Sequence, residues 1–463
     1  MKPADFKSLP LSPEILAVAE ELGFKELTPI QAESIPHLLA GKDLVGQSKT
    51  GSGKTAAFTL PLLSKIKLNE KRLQAVVLCP TRELATQVVT EMRKWGRRYE
   101  GLQILPLVGG QPGRAQSEAL ERGVQIAVGT PGRVLDLIER QRIDLEFVTT
   151  LVLDEADKML DLGFEAELRA ILKALPTQRQ TALFSATFPD SIRGLSQKYQ
   201  KNPVQVTVSQ ESPGDLIEQW LYDAEGTEKA HTLMRVLQQH PSESTLIFCN
   251  MKSTVDELAG MIANQGVSCY GLHGDLEQRE RERVLTMFRN GSCRILVATD
   301  VAARGLDIEH LELVINFDLP TQAETYVHRI GRTGRAGRTG VAVTLASPRD
   351  SLKILELENL AKSKFLKQAL GFKNQHGLGK SFRETRMQTL SISGGRKDKL
   401  RPGDILGALT GESGGLNSAD VGKIEIHDNF SYVAISSAQA STALERLRAR
   451  GIKGKKFQIK FMK

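Results

Sequence analysis

Short apolar runs recur along most of the chain, and each gives way to a polar or glycine-rich turn and then to a helical pattern. The runs lie within AVVLCPTREL, QIAVGTPGR, LVLDEAD and TALFSATF and, after NPVQVTVSQESPGDL, within STLIFCNMKS, RILVATDVAARGLD, LELVINFDLP and VAVTLASP. Apolarity without alternation marks strands buried on both faces, and strand–turn–helix repeated in sequence is the rhythm of a parallel α/β sheet. The pattern predicts two α/β domains of similar design, 1–208 and 216–375, joined near Ser209–Asp215.

A third segment, 388–463, changes period. It reads as strand (QTLSISG), helix (RPGDILGALTG), two strands (VGKIEIHD, FSYVAIS), helix (AQASTALERLRARG) and strand (KKFQIKF). The order βαββαβ in so short a span predicts a small α+β split-βαβ sandwich, one common form of which binds RNA.

Charge sharpens this division. Ala361 to Lys463 carries 20 Lys and Arg against 8 Asp and Glu, a local net of +12; the whole chain is +8, so residues 1–360 are net −4. A basic tail on a near-neutral body points to a polyanionic partner held mainly by the tail. The alternative, a disordered solubility tail, sits poorly with the patterned apolar segments inside it. The rest of the composition is that of a soluble globular protein, with 40% hydrophobic and 25% charged residues. No apolar run approaches the roughly 20 residues of a membrane span. The opening MKPADFKSLPLSPEIL lacks the apolar core and cleavage site of a signal peptide. Cys79, Cys249, Cys269 and Cys293 show no metal-ligand spacing and are expected as buried free thiols. The expected setting is the cytoplasm.

Candidate chemistry begins at SKTGSGKT, Ser48 to Thr55. It nearly matches the phosphate loop G-x-x-x-x-G-K-[ST], with Ser48 in place of the first glycine. Leu44 and Val45 lead into it and KTAAFTLPLLSKI follows with helical periodicity, the strand–loop–helix context such a loop needs. Backbone amides from Thr50 to Thr55 can cradle phosphates at a helix N-terminus, Lys54 can reach the β/γ phosphates, and the Thr55 hydroxyl can bind Mg²⁺. A flexible Gly/Ser loop with an incidental lysine is the competing reading. Against it stands LVLDEAD, which places Asp154 and Glu155 at a strand's C-terminal end, where open α/β sheets bind ligands. Asp154 suits Mg²⁺, and Glu155 suits orienting or deprotonating water. Taken alone, the same acids could simply cap a helix.

DEAD at Asp154–Asp157 resembles the name-giving motif of the DEAD-box RNA helicases, whose phosphate loop opens with a small residue rather than glycine. The rest of that family's pattern follows in order. The resemblance implies two tandem RecA-like parallel-sheet domains followed by an α+β domain like an RNA-recognition fold, with ATP and Mg²⁺ as cofactors. It places Phe6 and Gln31, at the end of GFKELTPIQ, on adenine: the ring stacks and the carboxamide pairs with the N6/N7 edge. Ser48, Lys49, Thr50, Gly51, Ser52, Gly53, Lys54, Thr55 and Asp307 would bind the nucleotide, with Thr55 and Asp154 as metal ligands. Glu155, Lys54, Asp154, Arg332 and Arg335 would be catalytic, the two arginines of HRIGRTGR acting as fingers on the transferring phosphoryl group. Ser185 and Thr187 of SAT, with Asp157 and His328, would couple hydrolysis to strand separation. RNA would be held by Pro80, Thr81, Arg82, Gly109, Gly110, Thr130, Pro131, Gly132 and Arg133 in the first domain. In the second it would meet Gln278, Arg281, Thr299, Asp300, Arg304 and Gly305.

The segments GGRKDKLRPGDILGALTG, VGKIEIHDNFSYVAI and GIKGKKFQIK resemble the C-terminal domain of the DbpA-type bacterial helicases. That narrower resemblance implies a hairpin of large-subunit rRNA as partner, a pre-ribosomal particle as context, and a monomer. On the third strand of this domain Phe430 and Tyr432 stand where base-stacking rings belong, but the first strand offers Ser391 and Ser393. Weight therefore moves to Arg396, Lys397, Lys399, Arg401, Lys453, Lys455 and Lys456, with the two rings left either to stack on bases or to join the core. Other readings stay open: an ATP-gated RNA clamp or remodeller with a general role in mRNA decay or cold adaptation, or a GTPase. Gln31 and the absence of an N-K-x-D motif disfavour the last.

Overall fold

The computed structural model describes residues 5–48, 51–110, 113–208, 217–224, 228–303, 311–334, 339–361, 363–367, 385–411 and 415–462. These fall into two compact units, the first within 1–211 and the second within 212–463.

The first unit is built on a parallel sheet that runs, edge to edge among the described residues, Ile104–Leu107, Ile126–Gly129, Ala75–Leu78, Thr150–Leu153, Gln180–Ser185, Leu44–Gln47 and Val204–Thr207. Successive residues of each strand feed opposite cores. Ala75 and Val77 face one layer with Phe58 and Trp95, whereas Val76 and Leu78 face the other with Leu168 and Ile171. Helices cover both faces, which is why these strands read as unbroken apolar runs. Helix starts are set locally: Thr81 accepts from the Leu84 amide (3.2 Å) at the head of Arg82–Trp95, and Thr130 with Pro131 opens Pro131–Glu139.

The second unit repeats the design with Cys269–Leu272, Ile295–Thr299, Thr245–Cys249, Leu313–Asn316, Gly340–Ala346, Ile217–Asp223 and Leu366–Lys367, all parallel where paired. The C-terminal segment forms the expected βαββαβ order. Its four antiparallel strands run Val421–Ile426, Ser431–Ser436, Met387–Ile392 and Ile459–Phe461, with helices Pro402–Thr410 and Ala440–Arg450 packed on one face. It lies within the same compact unit as the second α/β domain.

The strand-rich runs of the sequence all become strands. The ones it does not announce lie at or next to sheet edges: Ile104–Leu107, Val204–Thr207, Ile217–Asp223, Cys269–Leu272 and Leu366–Lys367. All four cysteines are buried and free, as expected. No helix among the described residues is long and apolar enough to cross a membrane.

Close packing beside the phosphate loop makes one position a sensitive gauge of the first sheet. A Cβ at Gly46 would stand 2.6 Å from Cε1 of the buried Phe184 ring. Gly46→Ala should therefore cost about 1–3 kcal/mol by overpacking, read as a lower melting temperature of the first unit in differential scanning calorimetry.

Candidate active site

The strand Leu44–Gln47 hands the chain to the phosphate loop, and Lys54 opens the helix Lys54–Lys65. Gly51 and Gly53 adopt φ of 80° and 93°, a left-handed backbone that glycine takes without steric cost. At Gly53 there is a second reason for glycine, since a Cβ would run into the Gln31 carboxamide. Lys54 is buried, and its Nζ donates to the Ser48 carbonyl (2.7 Å). The Ser48 and Ser52 hydroxyls share a hydrogen bond of 2.8 Å, so the residue that departs from the glycine pattern ties the loop across itself. Thr55 lies in the first turn of the helix. Lys49 and Thr50 lie outside the described residues.

Gln31 is fixed at both ends of its amide. Oε1 accepts from the Thr28 amide (3.0 Å), and Nε2 donates to the Gly53 carbonyl (3.1 Å). Each end keeps one unused valence, a lone pair and a hydrogen, the pair that an adenine N6/N7 edge requires. Phe6, expected on adenine, packs in an aromatic cluster. Its ring is buried against Trp95 (centroids 6.0 Å apart, stacked) and Phe24 (6.3 Å), and Phe24, 43% exposed, is the accessible member of the three.

Acidic chemistry gathers at the end of Thr150–Leu153. Asp154 is buried, and its Oδ1 has no hydrogen-bond partner among the described residues. Burial, then the neighbouring Glu155 carboxylate, push its carboxyl above the ordinary range against the pull of Lys54 and Lys158. A buried carboxylate oxygen with nothing bound to it is the environment a divalent cation fits, and Thr55 supplies a second oxygen ligand of the kind Mg²⁺ takes. Glu155 caps the helix Ala156–Asp161 with φ 53° and ψ 51°, strained for a non-glycine residue and characteristic of functional positions. Its Oε2 pairs with Lys158 Nζ at 2.8 Å, with side chains only 6% and 2% exposed. Asp157 turns the other way: its Oδ2 accepts from the Ala186 amide (3.1 Å), the Thr187 amide (2.9 Å) and the Thr187 hydroxyl (2.9 Å). The acidic strand end and the SAT element, with Ser185 buried beside them, are thus one hydrogen-bonded unit. Cys79 is close by, and burial followed by the Asp154 and Glu155 carboxylates raises its thiol well above the usual range.

The remaining first-domain residues collect on adjacent strand ends. Pro80, Thr81 and Arg82 follow Ala75–Leu78, Gly109 and Gly110 follow Ile104–Leu107, and Thr130 to Arg133 follow Ile126–Gly129. A Cβ at Gly109 would stand 2.8 Å from an Arg82 guanidinium nitrogen, so the two motifs touch only because that side chain is missing. Arg133 is held by Gln116 Oε1 (3.0 Å) and by Asp136, and Gln116 in turn donates to the Val108 carbonyl (2.9 Å).

In the second unit a residue not singled out by the sequence motifs organises the strand ends. Arg329, 1% exposed, donates to Asp300 Oδ1 and Oδ2 (2.6 Å each), the Asp318 carbonyl (2.6 Å), Asn250 Oδ1 (3.0 Å) and Asn316 Oδ1 (3.3 Å). Asp300, expected on RNA, is occupied by this guanidinium. Arg281 reaches the Ala302 carbonyl (2.7 Å), and Gln278 donates to Glu282 (3.2 Å). Thr299 closes its strand half-buried; His328 is half-buried and Arg332 buried. Arg304, Gly305, Asp307 and Arg335 lie outside the described residues. Two signals in the sequence mark what motif reading passed over. Tyr326, Arg329 and Ile330 share one helix face at i, i+3 and i+4, which puts the arginine in the core. Lys158 stands three residues after Glu155 on one helix.

In the C-terminal domain Arg396, Lys397, Lys399, Arg401, Lys453, Lys455 and Lys456 are all exposed. Asp404 draws Lys453 (3.1 Å) toward the 396–401 turn. Phe430 and Tyr432 are not part of the domain's core, which is made by the other face of the strand through Val433 and Ile435. With His427 they form a ring cluster: His427 stacks on Phe430 at 4.5 Å, and Phe430 and Tyr432 lie 5.0 Å apart.

A glycine-lined phosphate loop, a carboxamide poised beside it and an acidic strand end wired to a neighbouring strand define a nucleotide-dependent machine of tandem α/β design. Residues 28–195 match the DEAD/DEAH box helicase family, residues 228–337 the helicase conserved C-terminal domain, and residues 389–461 the DbpA RNA binding domain. The chain is 44% identical over 453 residues, 98% of both chains, to an ATP-dependent RNA helicase DbpA of Escherichia coli (strain K12). It is 46% identical over 360 residues to a DEAD-box ATP-dependent RNA helicase CshA of Bacillus cereus, covering 78% of this chain and 68% of that one. Among solved structures, S. cerevisiae Dbp5 bound to RNA and ADP BeF3 is similar with a TM-score of 0.71 and 32% identity, covering 79% of this chain and 95% of that one. The chain belongs to the DEAD-box ATP-dependent RNA helicases, and it is of the DbpA type.

Because the buried Arg329 ties Asp300 to the neighbouring strand ends inside the second unit, Arg329→Leu should lower stability by about 3–5 kcal/mol, the cost of breaking such a pair and leaving its hydrogen-bond partners unmatched. Urea denaturation of the full chain, followed by the fluorescence of Trp95 and Trp220, should show an earlier transition.

Proposed function

We propose that the protein hydrolyses ATP in an RNA-dependent cycle that opens short RNA duplexes locally, and that its C-terminal domain directs it to a hairpin of large-subunit rRNA during ribosome assembly. The observation that carries the enzymatic part is the Asp157 tie to Ala186 and Thr187, because it links the water-activating strand end to a second element by three hydrogen bonds. Gln31 reads the adenine edge, and Phe6 supports the base side through its packing on Phe24. The loop from Ser48 to Thr55 takes the phosphates, with Lys54 leaving the Ser48 carbonyl to meet them, and Asp307 completes the nucleotide contacts. Asp154 and Thr55 would hold Mg²⁺, which supplies positive charge to the phosphates when bound.

Glu155 accepts the proton of the attacking water. Lys158 pairs with that carboxylate from one turn along the helix. Arg332 and Arg335 stabilise the charge that spreads over the transferring phosphoryl group, and His328, Ser185 and Thr187 transmit the step. RNA is gripped through phosphate and sugar by Pro80, Thr81, Arg82, Gly109, Gly110, Thr130, Pro131, Gly132 and Arg133, and from the other domain by Gln278, Arg281, Thr299, Arg304 and Gly305, with Asp300 acting through Arg329. Such contacts are indifferent to sequence. Discrimination is left to the basic tail, where Arg396, Lys397, Lys399, Arg401, Lys453, Lys455 and Lys456 offer an exposed cationic surface. The tether raises the local concentration of adjacent duplex, so stimulation becomes selective without selective contacts in the core. The protein works as a monomer in the cytoplasm, on pre-ribosomal particles.

Glu155→Gln should leave ATP affinity near that of the unmodified protein while lowering RNA-stimulated turnover by roughly 100-fold or more; near-normal phosphate release would remove Glu155 from this role. Truncation before Gln388 should abolish the preference for an rRNA hairpin substrate over unrelated RNA and leave a weak generic stimulation. Should the truncated enzyme keep its full preference, specificity lies in the core instead. The hairpin affinity of the intact chain should fall steeply with salt, as phosphate neutralisation by several cations requires.

A further inference from the structure

The short helix Ala156–Asp161 carries a buried lysine whose charge no step of hydrolysis uses. Lys158 is among the largest side chains withdrawn from water, and lysine is almost never buried unless it is paired. Its ammonium meets Glu155 Oε2 at 2.8 Å, three residues back along the chain. Its backbone makes a second contact, for the Lys158 amide donates to Asp157 Oδ1 (2.9 Å). The other oxygen of that carboxylate, Oδ2, accepts the Ala186 amide and both the amide and the hydroxyl of Thr187. The contacts therefore run from Ala186 and Thr187 to the Asp157 carboxylate, from there to the Lys158 amide, and from the Lys158 ammonium to Glu155. Glu155 stands in need of such support. Its φ of 53° and ψ of 51° persist in a non-glycine residue only where the surroundings impose them. Backbone bonds flank it, from the Asp154 amide to the Leu78 carbonyl (2.9 Å) and from the Met159 amide to its own carbonyl (3.2 Å). They fix its main chain, while the Lys158 ammonium bears on its carboxylate.

We infer that Lys158 is a positioning residue for hydrolysis: through it, the state of the Ala186–Thr187 strand end sets where the Glu155 carboxylate stands. The inference rests on Glu155 as the group that meets the attacking water. Three hydrogen bonds hold Asp157 to that strand end, so a displacement there moves the Asp157 carboxylate and, with it, the Lys158 amide. The lysine stem is packed in the interior, where a close-packed surrounding leaves little room to absorb the shift in a new rotamer. Its ammonium carries the displacement on to Glu155. A carboxylate misplaced by about 1 Å forfeits on the order of 100-fold in rate, so a small motion is enough to switch hydrolysis between slow and fast. Charge is needed as well as reach. An apolar side chain of the same length would fill the space without drawing the carboxylate.

The test uses the full-length chain, bulk rRNA at saturation, and a temperature well below the melting point of every variant. Lys158→Met keeps the stem and removes the charge. It should lower kcat for RNA-stimulated ATP hydrolysis by about 10- to 100-fold. The KM for ATP should stay within about twofold, the split expected when groundstate binding is untouched. Lys158→Arg, which keeps a cation, should recover the rate to within about threefold of the unmodified protein. Equal losses in the two variants would trace the effect to packing volume and overturn the proposal. A kcat for Lys158→Met within about twofold of the unmodified protein would overturn it too, leaving the pair a role in the fold alone. Thr187→Ala removes one of the bonds that hold Asp157. It should lower kcat in the unmodified background and add nothing to Lys158→Met, since residues of one connected network couple non-additively. Losses that multiply independently would show that the strand end reaches Glu155 by another route, and the relay would be wrong. Glu155→Gln separates this inference from the reading beneath it. Near-normal turnover in that variant removes Glu155 from the reaction and Lys158 with it. An inactive Glu155→Gln beside a fully active Lys158→Met overturns the relay alone.

Discussion

Taking a carboxylate out of water costs several kcal/mol unless something replaces the water, and the first α/β domain does this at Asp154, Glu155 and Asp157 within one short stretch of chain. The surrounding structure is the set of replacements. Glu155 receives Lys158, Asp157 receives two amides and a hydroxyl from the next strand's end, and Asp154 is left with one oxygen unmatched. Parallel strands make this possible because they deliver consecutive loops to one edge of the sheet, where the phosphate loop also emerges. An unmatched carboxylate oxygen beside the loop that opens Lys54–Lys65 can be met by a proton or by a cation.

The second domain solves the opposite problem with the same sheet. There the buried charge at the strand ends is a guanidinium, and it is already satisfied: Arg329 uses its donors on Asp300, Asn250, Asn316 and the Asp318 carbonyl. One domain therefore stores an unsatisfied charge that invites a ligand, while the other spends its charge on holding strand ends rigid. Similar folds differ in function through such local accounts, and fold alone would not have told them apart.

Much of this could be read from the chain. The apolar runs gave the central strands, since a strand buried on both faces admits little else, and the acidic and glycine motifs fell on strand ends as their chemistry demands. Edge strands escaped because half-exposed segments such as Val204–Thr207 carry mixed polarity and Ile104–Leu107 contains a proline. Arg329 and Lys158 escaped for a different reason. A basic residue inside a motif rich in basic residues looks like another ligand-binding group, and only burial reveals that it serves its own domain. The surroundings of Phe6 were not legible either: the packing of Trp95 and Phe24 around it decides which ring meets solvent, and no spacing in the sequence encodes that.

One carbonyl has two masters. Gly53 O accepts the Gln31 side-chain amide and also the Ala57 amide, each at 3.1 Å, and the latter is the first helical bond of Lys54–Lys65. Gly53 has no side chain to cushion this junction, and Gln31 is packed where one would sit. A base that pulls or twists the carboxamide therefore acts directly on the first turn of the helix that carries Lys54 and Thr55. Under the proposed adenine-reading role of Gln31, base identity and phosphate grip become one mechanical variable, and a nucleotide with the wrong base is disadvantaged at its phosphates as well as at its ring.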